Sequence, residues 1–127
     1  MECINGIQLN LIKNSITINN LGPNINTEYD EYAPYVSADE EKLFFTSRRL
    51  GDHAKNIDKN DGLHYEDIFL SFRRDCFWSP AVNAGNNINS RGHDAICGVF
   101  EDGHTMIIFK GGIRRGDLFY VKYNNGE

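Results

Sequence analysis

The chain has 127 residues, 40% of them hydrophobic and 24% charged, with a formal net charge of −5. Such proportions describe an ordinary globular chain of one domain and exclude a disordered or fibrous one. No run of Lys and Arg is longer than a pair (Arg48-Arg49, Arg73-Arg74, Arg114-Arg115), so the basic face that a phosphate backbone needs is absent and nucleic acid is not expected as a partner.

In chain order, Ile7, Leu9 and Leu11 alternate with polar Gln8 and Asn10, the period of a half-buried strand, and Ile16 and Ile18 start another. Residues 35–37 and Lys42–Ser47 are β-rich runs joined by Ala38-Asp39-Glu40-Glu41, a connection short enough to force a hairpin. A third strand is expected over 67–72, and a fourth over 77–82, where Pro80 removes a ladder donor and predicts an edge. Then 96–100, a turn at Glu101-Asp102-Gly103, and 105–109 repeat the hairpin, and 117–123 repeat the third strand. No window of eleven residues carries a helical stripe, so the chain reads as all-β.

The N-terminal MECINGIQLNLIK lacks the basic and apolar regions of a secretory signal, and no stretch approaches eighteen apolar residues, so no membrane-spanning helix is expected. Cys3, Cys76 and Cys97 are odd in number and show no C-x-x-C spacing. They are expected to be buried, unreactive thiols, with Cys97 a small core residue of a strand.

The chain also repeats itself. INTEYDEYAPYVSADEEKLFFTSRR returns as INSRGHDAICGVFEDGHTMIIFKGG sixty-three residues later, aligning Thr27 with Ser90, Glu31 with Asp94, Val36 with Val99 and Asp39 with Asp102. Beyond this block Asp67-Ile68-Phe69 matches Asp117-Leu118-Phe119 only if the first copy holds an insertion of thirteen residues. Without it the period is about fifty residues, a propeller-blade length. The resulting units are a half blade at 7–22, a full blade at 33–85 with an inserted loop at 50–66, and a partial blade at 95–123. The expected architecture is therefore a partial β-propeller, about two four-stranded blades with flanking half-blades. The rest of a propeller, or self-association, is needed to complete it.

The segments Asn26-Thr27-Glu28-Tyr29-Asp30-Glu31, Ala33-Pro34-Tyr35-Val36-Ser37-Ala38-Asp39, Leu43-Phe44-Phe45-Thr46-Ser47-Arg48, Asp67-Ile68-Phe69 and Trp78-Ser79-Pro80 resemble the WD-repeat-like propeller of the TolB type. The resemblance covers about residues 16–123 and is nearest to blades of bacterial cell-envelope proteins that also carry an outer-membrane-protein-A-like domain. It implies a non-catalytic binding or scaffold module, periplasmic or envelope-associated, whose partner is a protein or an envelope glycan. The alternative it implies is an accessory domain of a serine peptidase or a glycosidase. The chain departs from the pattern at Asp39-Glu40-Glu41, where Pro-Asp-Gly is usual, at Cys97 in place of Pro34, and at Gly111-Gly112 in place of Arg48-Arg49.

Asp39 and Asp102 head tight turns, where an Asp bonds its own backbone amides, and Asp67 and Asp117 are expected to cap turns likewise. No G-x-S-x-G elbow is present, and neighbouring acids such as Asp30-Glu31 point to opposite faces of a strand, so no catalytic residues are expected. Asp30 and Glu31, with His93 and Asp94 at the matching positions, are expected to form an acidic channel mouth, the candidate ligand-binding site. The insertion holds Asp52, His53, Asp58, Asp61, His64 and Glu66. It superficially evokes a calcium loop, but no Glu stands at the twelfth position from Asp58, so neither a metal nor a cofactor is expected, and the loop is read as solvated and mobile.

Overall fold

A computed structural model of the chain describes residues 17–51, 57–100, 102, 104–112 and 115–122. These residues are all-β, with eight strands and no helix among them: β1 (Glu31–Val36), β2 (Lys42–Ser47), β3 (Asp67–Arg74), β4 (Phe77–Trp78), β5 (Val82–Asn83), β6 (His93–Val99), β7 (Thr105–Gly111) and β8 (Gly116–Lys122). Every pairing is antiparallel. The first sheet runs β1-β2-β3-β4 with β5 also on β3, and the second runs β6-β7-β8. Pro80 breaks the expected fourth strand into two short pieces, β4 and β5, both held at the edge of β3.

The internal match reappears in the pairing. In the first hairpin Glu31 faces Ser47, Tyr32 faces Thr46 and, after a bulge, Tyr35 faces Phe44. In the second, sixty-three positions on, Asp94 faces Lys110, Ala95 faces Phe109 and, after a bulge at the same place, Gly98 faces Ile107. The third strand follows at an offset of fifty, Ser47 facing Asp67 as Lys110 faces Asp117. The loops entering the hairpins also match. Asn20 Oδ1 accepts the Gly22 amide and Asn83 Oδ1 the Gly85 amide, at 2.7 and 2.8 Å. Gly22 and Gly85 take φ of +87° and +83°, values that favour glycine because it has no Cβ to clash. Asp39 accepts the Glu41 amide and Asp102 the His104 amide, the self-bonding turn expected of both.

The sheets stack face to face. Phe44 and Ile68 of the first meet Ile96, Met106 and Ile108 of the second in one buried cluster. Each such side chain contributes about 1.5–3 kcal/mol by leaving water. The opposite face of the first sheet buries Leu43, Phe45 and Phe69 with Ile25, so β2 is enclosed on both sides. Polar ties also cross the stack: the Ile96 amide donates to Thr46 Oγ1 at 3.1 Å, and the Asp94 amide donates to the Glu66 carbonyl at 2.8 Å.

Several expectations need correction. β1 begins at Glu31 rather than 35, because the bulge at Ala33, whose φ is +48°, lets the ladder continue past Pro34. Residues 17–22 hold no strand and Ile18 is exposed; residues 7–16 lie outside the described residues, as does Cys3. Cys76 and Cys97 are exposed, not buried. Cys97 sits at the bulge, where side-chain alternation resets, and Cys76 lies in the turn between β3 and β4. Asp67 Oδ2 also accepts a hydrogen bond across the sheet from Asn83 Nδ2 at 2.8 Å.

Candidate functional site

One end of the stacked sheets gathers the segments entering β1 and β6, the inserted loop and the β7–β8 connection. Each entering segment is a hydroxyl turn locked to a carboxylate four residues on. Thr27 gives its hydroxyl and amide to Glu31 at 2.6 and 3.2 Å, while Ser90 gives its hydroxyl and amide to Asp94 at 2.8 and 2.5 Å. The hydroxyl oxygens in turn accept the amides of Tyr29 and Gly92, both at 3.2 Å. The longer Glu31 also takes the Arg49 guanidinium at 2.8 Å and the Ser47 hydroxyl at 3.2 Å. Burial pushes the Glu31 carboxyl up, and the Thr27 bonds with the Arg49 charge more than offset this, leaving it below its ordinary range. In the second unit Gly112 stands at the place of Arg49, and the shorter Asp94, fully buried, accepts both bonds of the Ser90 turn.

The described part of the insertion, expected to be solvated and mobile, keeps residues 59–63 exposed but is tied down at several points. Ile57 and His64 form a β-bridge, and Asp58 is buried. Arg48, at the end of the first hairpin, donates to the His64 carbonyl and to Asp61 Oδ2, both at 2.7 Å, and stands 3.5 Å from Glu66. The Arg48 hydrogen bond and the Leu63 amide hold the Asp61 carboxyl below its ordinary range. His93 at the head of β6 completes the network. Its Nδ1 contacts Glu66 and its Nε2 lies 3.2 Å from Asp58 Oδ2, with Tyr65 edge-on at 4.5 Å. Sequence spacing does not reveal these links, because His93 is twenty-seven and thirty-five positions from its two acids.

Of the candidate residues, Asp30 is exposed and contributes its carbonyl to the Arg48 amide at 3.4 Å. Glu31 and Asp94 are engaged by their own turns, and His93 joins the insertion. His64 lies edge-on to Tyr29 at 6.3 Å, while Asp52 and His53 fall outside the described residues. No group of three metal-ligating side chains occurs among the described residues.

Two hollows open beside this network. One, of about 320 Å³, is lined by Asp58, Lys59, Asn60, Tyr65, His93 and Gly112. The other, of about 560 Å³, shares Tyr65 and Gly112 and brings in Arg91, Lys110, Arg115 and Phe119. A basic cluster there was not legible in the sequence, since its members come from three separate segments. Comparison with protein-family models, curated proteins and solved structures finds no match.

Proposed function

We propose that the chain is a non-catalytic binding or scaffold module of a TolB-like β-propeller in the bacterial cell envelope, its loops presented to a protein or a glycan. The observation that carries this reading is head-to-tail stacking of two matching units. Met106 and Ile108 occupy the positions of Leu43 and Phe45, and they pack on Phe44 and Ile68. The positions matching Phe44 and Ile68 one unit later are Ile107 and Leu118. There the face is open: Leu118 is 67% and Tyr120 79% exposed, and a groove of about 410 Å³ runs over Phe100, Ile107, Leu118, Phe119 and Tyr120.

An apolar face of this kind marks an interaction surface. Its occupant in this reading is a further β-unit of the same build, presenting the counterparts of Met106 and Ile108. Stacked modules of this kind bury their faces only against neighbours, and the ends of the stack remain as a rim of loops for a partner.

Sedimentation velocity and binding of an apolar dye test it. The chain should bind the dye and associate as concentration rises, and Leu118→Glu with Tyr120→Lys should abolish both without lowering the melting temperature. A monomer at every concentration that binds no dye refutes the reading.

A further inference from the structure

The chain is acidic overall, yet the 560 Å³ hollow is lined by three cations and one acid, Asp117. Arg91 comes from the turn entering β6, Lys110 from the end of β7 and Arg115 from the residue before β8. Arg91 is not free. Lys110 and Arg115 differ, making no ion pair with any described residue. Arg48 and Arg49, by contrast, are both paired with carboxylates.

The floor of the hollow is backbone. Gly92, Gly111 and Gly112 line it, and Gly92 lies so close to its neighbour that a Cβ there would run into the Gly111 carbonyl oxygen. The Gly92 position therefore accepts no side chain. Tyr65 and Phe119 add ring surface, Phe119 being 47% exposed. Beyond Tyr65 the smaller hollow supplies the polar groups of Asn60, Lys59 and Asp58.

We propose that this hollow binds a small anionic sugar, its carboxylate or phosphate held between Lys110, Arg115 and Arg91. The cations supply the charge complement, and a guanidinium matches either oxyanion in a two-point fork. Tyr65 and Phe119 cover the ring faces, and the smaller hollow takes the hydroxyls. The proposal deepens the binding reading but does not need the propeller, since both hollows are formed within this chain.

Titration calorimetry of the 127-residue chain tests it, with glucuronate, glucose 6-phosphate and glucose as probes. Saturable binding of glucuronate alone assigns a carboxylate ligand, and of glucose 6-phosphate alone a phosphate ligand. Arg115→Ala and Lys110→Gln should each weaken the anion by about tenfold, the loss of one charged hydrogen bond. Added salt should weaken it further. Arg115 is exposed, so its truncation leaves the fold intact even if Lys110→Gln does not. Saturable binding of neither anion, binding of glucose as tight as theirs, or an affinity unchanged in Arg115→Ala overturns the proposal. None of these results bears on self-association, so the two readings fail separately.

Discussion

Replacing Arg49 by Met removes a charge while keeping an apolar side chain of similar length. The Arg49 guanidinium lies 4.9 Å from the Phe45 ring and 5.0 Å from Phe69, 2.8 Å from Glu31 Oε1 and 3.2 Å from the Ser47 hydroxyl, and it also reaches the Ile25 carbonyl. Its side chain is 12% exposed and that of Glu31 13%. Removing one member of a buried ion pair costs about 3–5 kcal/mol, and a cation over a ring adds about 0.5–1 kcal/mol. Glu31 retains its bonds from Thr27 and Ser47, so the expected loss is about 3 kcal/mol, the low end of that range.

Urea unfolding followed by the fluorescence of Trp78, the one tryptophan, reads this directly. Acid provides a second arm. The Glu31 pKa lies below its ordinary 4.5 in the folded chain, so its contribution is present above the unfolded value and is lost as pH falls through the folded one. Without Arg49 one of the lowering influences disappears, and this acid-sensitive component should shrink. A loss under about 1 kcal/mol, the scale of an exposed pair, or an acid dependence equal to that of the parent chain, refutes the reasoning.

Asn89→Ala should destabilise by about 2–4 kcal/mol, because the buried side chain serves both the amide and the carbonyl of Ile68 at 2.8 Å and its loss strands both; calorimetry showing under about 1 kcal/mol contradicts this. Thr46→Val preserves shape but leaves the Ile96 amide without its acceptor across the two sheets, with an expected loss of about 1–3 kcal/mol and faster hydrogen exchange at Ile96. Deleting residues 52–62 should cost more than about 2 kcal/mol, since Arg48 loses Asp61 and His93 loses Asp58; an unchanged denaturation midpoint would restore the picture of a loose loop. The Thr105 hydroxyl, then the His104 amide, hold the Asp102 carboxyl below its ordinary value. Thr105→Val should therefore raise its midpoint in a carbon-detected NMR titration, and an unmoved midpoint rejects that cause.

Most of the strands and both hairpin turns were legible from the sequence because they rest on local chemistry, although β1 and β6 begin earlier than expected, at Glu31 and His93. Alternating side chains set the strands, an Asp at each turn head bonds its own amides, and a proline truncates the edge. The sixty-three and fifty residue offsets were legible too, and the pairing registers follow them residue for residue. Burial was less so: Cys97 looks like a core residue in a run of small apolar neighbours, but a bulge at that position turns it outward.

Sequence alone determined the all-β character, the hairpins and their internal match, since each depends on residues within a few positions of one another or on their recurrence. Only the tertiary structure decided which faces meet and where charge collects. Arg48 and His93 find the insertion's acids, and Arg91, Lys110 and Arg115 share one hollow, because separate segments are brought together by the stacking of two sheets. Such encounters depend on through-space distance, which in a folded β-chain has no fixed relation to separation along the backbone.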